Sequence, residues 1–123
     1  MTKRVLDVGQ CPPDHMMIRR LLERHFEVTI VQAHGPDDTI DALRNGPFDL
    51  VLVNRKLDRD YSDGLEIVRQ IKADAQLANV PVMLITSYVD HQDLAVAAGA
   101  ERGFGKLELD QAETVERLSG VLN

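Results

Sequence analysis

The sequence predicts an α/β domain built on a five-stranded parallel sheet, and three observations lead there. Short aliphatic or β-branched runs alternate five times with segments of helical period, the rhythm of successive strand-helix units. The third run, Asp49-Leu50-Val51-Leu52-Val53-Asn54, is nearly all aliphatic, as a central strand covered by helices on both faces has to be. Proline, glycine and Asn-Gly punctuate the runs where helices start or stop.

The first strand reads Arg4-Val5-Leu6-Asp7-Val8, and a helix opens at Pro12-Pro13-Asp14, with Met17, Ile18, Leu21, Leu22 and His25 on its inner face. Val28-Thr29-Ile30-Val31 forms the second strand. Gly35-Pro36-Asp37-Asp38 introduces a helix that carries Ile40 and Leu43 and stops at Asn45-Gly46. The third strand delivers Asn54 to the carboxyl end of the sheet, the end where open α/β sheets bind their ligands. A charged loop, Arg55 to Asp63, precedes a helix bearing Leu65, Ile67, Val68 and Ile71. Val82-Met83-Leu84-Ile85-Thr86 makes the fourth strand, and a helix from about Asp90 to Ala98 ends at Gly99. A weak fifth strand around Arg102-Gly103-Phe104-Gly105 leads to Lys106. The last helix starts at Asp110, which pairs with Glu113 in a capping-box pattern, and buries Val115, Leu118, Val121 and Leu122.

At 123 residues the chain is expected to form a single domain, 1–123, large enough to hold a core without disulfides or metal. Hydrophobic residues are 44% and charged residues 28%, ordinary for a globular protein. No apolar run approaches the roughly 20 residues that span a bilayer, so no membrane partner and a cytoplasmic location are expected. Cys11 is the only cysteine, which excludes an internal disulfide. With a net charge of −6 and no basic cluster beyond Arg19-Arg20, direct nucleic-acid binding is not expected.

Five strand-helix units that end in Asn54, Thr86 and Lys106, together with Asp63-Gly64-Leu65-Glu66, Val80-Pro81, Thr86-Ser87 and Ala98-Gly99-Ala100, resemble the receiver domain of two-component response regulators over essentially the whole chain. The resemblance implies a flavodoxin-like (CheY-like) three-layer sandwich with strand order 2-1-3-4-5 and five helices. It also implies what a working receiver needs: an aspartate that accepts a phosphoryl group from a histidine kinase, and a Mg²⁺ held by that aspartate and by an acidic pair after the first strand.

Three of those carboxylates are missing. Asn54 falls at the phosphoacceptor position, and a neutral carboxamide does not form an acyl phosphate. The acidic pair maps to Gly9 and Gln10. No cofactor is therefore expected, and Mg²⁺ binding should be lost or weak, because Mg²⁺ is held through carboxylates and waters. Thr86 and Lys106 match the positions that sense the phosphoryl group in the family; here a strand-end hydroxyl bonded to backbone, and a cation pointing to solvent or to the Asn54 carbonyl, are the plainer roles. Lys106 is followed by Leu107 where the family has proline, so a trans bond is expected. Gly103 occupies the aromatic switch position, with Phe104 beside it.

The other constellations carry less. Asp58, Asp60 and Asp63 interleave with Arg59 and lack the glycine and glutamate of a calcium loop, which describes a solvated loop. Asp7, inside a strand, has to find a partner on a neighbouring strand or helix. The four histidines show no metal-ligand spacing and read as surface or cap residues. Of Met16 and Met17, one packs and the other is exposed, the latter a possible contact for a docking partner.

The function expected is that of a receiver-like signalling module, not an enzyme, acting by phosphorylation-independent protein-protein interaction. Its partner would be a histidine kinase, a phosphotransfer protein or another regulator, or a second copy through the fourth helix, fifth strand and last helix. Two alternatives are a phosphorelay receiver using Asp58 or Asp7 as acceptor, and a flavodoxin-like enzyme or nucleotide-binding protein. The second is disfavoured because the prolines of Gly9-Gln10-Cys11-Pro12-Pro13 lack the N–H donors that cradle a phosphate.

Overall fold

The computed structural model describes residues 2–123. Along the chain lie β1 (Lys3–Val8), α1 (Pro12–His25), β2 (Val28–Ala33), α2 (Pro36–Arg44), β3 (Leu50–Asn54), α3 (Gly64–Ala73), β4 (Val82–Ile85), α4 (Val89–Ala97), β5 (Glu101–Phe104), a 3₁₀ turn (Lys106–Glu108) and α5 (Ala112–Leu122). The strands form one parallel sheet in the order 2-1-3-4-5, the order that the resemblance implied.

Alternation along the central strands sends side chains to two cores. Leu6, Val8, Val51, Val53, Val82 and Leu84 meet Leu43, Leu65, Val68, Ile71 and Ala95 from α2, α3 and α4. Val5, Leu50, Leu52, Met83, Ile85 and Phe104 meet Ile18, Leu21, Leu22, Leu118 and Leu122 from α1 and α5. The sheet is thus the middle of three layers. The four aliphatic residues of β3 are all buried, and each such side chain contributes about 1.5–3 kcal/mol. That burial anchors the strand whose end carries Asn54.

The structure corrects several expectations about surfaces. Met17 and His25 do not join the inner face of α1: both Met16 and Met17 are exposed, as is His25, and Ile18, Leu21 and Leu22 alone are buried there. In α5 the buried set is Thr114, Leu118 and Leu122, with Val115 and Val121 packed at the edge. The Asp110–Glu113 capping box does not form. The 3₁₀ turn occupies Lys106–Glu108, the helix begins only at Ala112, and Gln111 is its cap. The polar groups there are met differently: Glu108 accepts from the Gly105 N–H at 2.8 Å, and the Thr114 hydroxyl donates to the Glu108 carbonyl at 2.7 Å.

Other helix starts follow their sequence signals. Proline opens α1 and α2, where its missing N–H is not needed. The Asp38 carboxylate reaches back to accept from the His34 and Gly35 N–H groups, both at 2.8 Å, and Asp63 caps α3 by accepting from the Leu65 N–H at 3.0 Å. No described peptide bond is cis, so the bond to Leu107 is trans.

Candidate functional site

The loops after β1, β3, β4 and β5 gather at the carboxyl edge of the sheet; Gly9, Gln10, Thr86 and Lys106 follow strand ends there, while Asp7 and Gly103 lie inside β1 and β5. Asn54 ends β3. Its Nδ2 donates to the Gly9 carbonyl at 3.1 Å and to the Lys56 carbonyl at 2.7 Å. Carbonyl oxygens only accept, so both bonds require an amide at this position. One side chain thereby ties the loop after β1 to the loop after β3.

Gly9 has a backbone conformation that suits glycine. Its φ is +77°, and a Cβ built there would come within 2.5 Å of the Leu57 Cδ2 and 3.2 Å of the Leu57 Cα. Leu57 itself is buried beneath the loop. A side chain at position 9 thus meets left-handed strain and the Leu57 plug together. Gln10 is fully buried, and its side-chain amide makes no hydrogen bond, while its carbonyl accepts from Gln32 at 3.2 Å.

Thr86 and Lys106 are engaged elsewhere. The Thr86 hydroxyl accepts from the Tyr88 N–H at 3.3 Å and stands 3.5 Å from His91 Nδ1, so it is a strand-end hydroxyl bonded to backbone. Lys106 points neither to open solvent nor to Asn54: its Nζ bonds the Asp14 carboxylate of α1 at 2.7 Å. The Lys106 ammonium holds the Asp14 carboxyl below its ordinary pKa.

Two histidines that the sequence left as surface or cap residues are paired with acids. His15 Nδ1 lies 2.6 Å from Asp7 Oδ2, with the side chains 13% and 0% exposed. This is the partner that a carboxylate inside a strand required. Burial nevertheless dominates and pushes the Asp7 pKa from 3.8 to about 6, against the opposing effect of His15, and Asp7 Oδ1 has no partner. His34 Nδ1 sits 3.2 Å from both oxygens of Asp58, so Asp58 is pinned to the end of β2 instead of being freely solvated. A strand acid followed by a histidine in the next helix's first turn was the available signal for the first pair; the second depends on loop geometry that no local pattern encodes.

Sequence reasoning missed Gln92. It is buried on α4 and bonds the Leu84 and Thr86 carbonyls and the Gly103 N–H. Nothing in its neighbourhood, Asp90-His91-Gln92-Asp93, separates it from a solvated helix start. Phe104, beside Gly103, is buried in the core with Ile18 and Leu118 and is not a mobile surface ring.

Among the described residues, no three His, Cys, Asp or Glu side chains gather to hold a metal ion, and no helix is long and apolar enough to cross a membrane. The fold is shared with solved receivers. The signal receiver domain of a DNA-binding response regulator protein from Colwellia psychrerythraea 34H is 26% identical, with 96% of each chain covered and a TM-score of 0.79. The BeF3-activated N-terminal receiver domain of Klebsiella pneumoniae RstA is 22% identical over 98% of this chain and 99% of that one, with a TM-score of 0.80. A response regulator from Thermotoga maritima is 22% identical over 99% and 98%, with a TM-score of 0.78. The family model described as response regulator receiver domain matches residues 13–114, a span that begins after β1, Gly9 and Gln10. With four fifths of its length inside that match and the 2-1-3-4-5 sheet around it, the chain belongs to the response regulator receiver domain family of two-component signalling.

Proposed function

We propose that this receiver domain signals without being phosphorylated, as a protein-interaction module whose phosphoryl chemistry has been replaced by internal hydrogen bonds. One observation carries the reading: the Asn54 amide donates to Gly9 and Lys56 carbonyls, so the side chain at the end of β3 is a donor. An acyl phosphate needs a carboxylate oxygen as nucleophile at that place, and a Mg²⁺ needs acceptor oxygens.

The residues present do not fit Mg²⁺. Asn54, Gly9 and Gln10 supply no carboxylate where the family's acidic pair and acceptor belong. The Asn54 NH₂ already occupies the two carbonyls that converge on it. Thr86 and Lys106, the positions that would sense a phosphoryl group, are committed to Tyr88, His91 and Asp14. Asn54, Thr86 and Lys106 are thus all bonded within the domain, which a single chance substitution would not produce, although the buried Gln10 side-chain amide has no partner.

Receiver domains are signalling modules that act on protein partners, such as kinases and other regulators. For this chain the surface of α4, β5 and α5 is the interaction face: Tyr88 and Val89 are each 66% exposed, and Leu94 and Val96 extend the apolar surface along α4. The rival reading, phosphorylation at Asp58 or Asp7, has poor access. Asp7 is completely buried against His15, and the Asp58 side chain is 15% exposed and held by His34.

Adding Mg²⁺ and beryllofluoride to the isotope-labelled chain, with backbone amide shifts followed, tests the reading. No saturable shift is expected around Asn54. A stoichiometric change centred there overturns the reading, and one centred on Asp58 moves the acceptor to that residue.

A further inference from the structure

We propose that Gln92 is a brace that holds the end of β4, the turn into α4 and β5 in one arrangement, so that the α4–β5 face is presented without a switch. The brace is read from hydrogen bonds alone; its biological meaning rests on the phosphorylation-independent reading above.

The need for it arises in the sheet. Met83 pairs with Glu101 and Ile85 with Phe104, so β5 spends three residue steps where β4 spends two. Such an irregularity leaves ladder groups unpaired, and buried backbone groups must be bonded. Gly103 lies at the irregularity, so close to β4 that a Cβ would fall 2.3 Å from the Leu84 carbonyl. A side chain there would force the strands apart.

Gln92 supplies the missing partners. Its Nε2 donates to the Leu84 carbonyl at 2.9 Å and the Thr86 carbonyl at 3.1 Å, and its Oε1 accepts from the Gly103 N–H at 2.8 Å. The residue is 6% exposed, so these bonds compete little with water, and losing any of them strands a buried polar group. From the other side Arg117 of α5 donates to the Gly103 carbonyl at 2.8 Å. α4, β4, β5 and α5 therefore meet in one hydrogen-bonded knot.

Thr86 is locked into the same knot. Its N–H donates to the Phe104 carbonyl at 3.0 Å, its carbonyl accepts from Gln92, and its hydroxyl accepts from the Tyr88 N–H. A displacement of the Thr86 backbone breaks the Gln92 bond as well as the bond to Phe104. Gln92 is a positioning residue, and its effect is to remove the second state.

Relaxation dispersion and amide exchange on the full chain test this. The wild type should show no microsecond-to-millisecond dispersion over residues 84–92 and 101–106, and the Gly103 N–H should be strongly protected. Gln92→Leu keeps the volume and loses all three bonds; it should bring dispersion to both segments and speed Gly103 exchange by about tenfold beyond any change in global stability measured by urea. Gln92→Glu keeps the acceptor for Gly103 but turns a carboxylate on two carbonyls, so its dispersion should diminish as pH is lowered and the acid regains a donor. Acceleration of Gly103 only in step with global unfolding overturns the proposal. Dispersion in the wild type, with no shift at Asn54 on adding Mg²⁺ and beryllofluoride, overturns the brace and leaves the phosphorylation-independent reading intact. A saturable shift at Asn54 with the two segments still quiet overturns that reading and supports the brace.

Discussion

His15 Nδ1 and Asp7 Oδ2 lie 2.6 Å apart at the buried junction of β1 and α1, and this pair makes stability depend on pH in an unusual direction. Burial, the largest influence, raises the Asp7 pKa from 3.8 to about 6 although His15 opposes it. A carboxyl whose pKa is higher in the folded state keeps its proton better there than in the unfolded chain. Its stabilising effect is complete below about pH 4 and is lost as pH rises through about 6. Asp7→Asn removes the titration. The variant should match the wild type near pH 4 and exceed it at pH 7.5 by about 1–3 kcal/mol, the upper figure being the shift converted at 1.36 kcal/mol per unit. Thermal unfolding at several pH values measures this; a difference that stays constant from pH 4 to 7.5 would refute it.

The Asn54 bonds to Gly9 and Lys56 predict the outcome of restoring the family's aspartate. Asn54→Asp would set carboxylate oxygens against two carbonyl oxygens now receiving donors. The loss of both bonds and the repulsion should cost on the order of 2–3 kcal/mol at neutral pH, read as a lower urea midpoint with unchanged slope. With Gly9 and Gln10 still lacking carboxylates, the variant should also form no acyl phosphate with Mg²⁺ and a small-molecule phosphodonor. Robust aspartyl phosphate by mass spectrometry would show that the metal reasoning is wrong.

How far the sequence could be read follows from which interactions are local. The central place of β3 and β4, and the positions of Asn54 at the end of β3 and Thr86 just after β4, were legible because burial on both faces leaves a continuous aliphatic run. The destinations of polar side chains were not. Lys106 reaches Asp14 across 92 residues, and His34 reaches Asp58 across 24; no periodicity records such meetings. The start of α5 was misplaced because Asp110 and Glu113 satisfy a local capping pattern, while Lys106–Glu108 formed a 3₁₀ turn that moved the helix start to Ala112. Gln92 was invisible because its role exists only where β4 and β5 fall out of step.

Tyr61 is the one non-glycine residue with positive φ among those described, at +58°. Its N–H donates to the Leu57 carbonyl at 2.9 Å, closing the loop over that buried plug. Its side chain is 73% exposed, so little packing offsets the left-handed strain. Tyr61→Gly should therefore stabilise the chain by roughly 0.5–1 kcal/mol, the strain relieved less the entropy glycine adds to the unfolded state. A urea titration reads the gain. A loss above 1 kcal/mol would mean that the ring makes contacts its exposure does not suggest.

Gly9 tests whether the loop after β1 has been rebuilt or has merely lost an acid. Its φ of +77° and the 2.5 Å approach of a Cβ to Leu57 Cδ2 are two separate obstacles to any side chain. Gly9→Ala should cost about 2 kcal/mol or more, of which roughly 1–2 kcal/mol is backbone strain that no neighbour can relieve. The remainder belongs to the contact with Leu57. Leu57→Ala alone opens a cavity and should cost about 2–5 kcal/mol, but the double variant should be more stable than the sum of the two losses implies, with a coupling of about 0.5–1 kcal/mol. Full additivity would show that Leu57 yields freely and that backbone strain alone excludes a side chain. A Gly9→Ala variant as stable as the wild type would show instead that the loop can accept one, and then an aspartate at position 9 would be open to the protein and its absence a matter of chemistry, not of backbone.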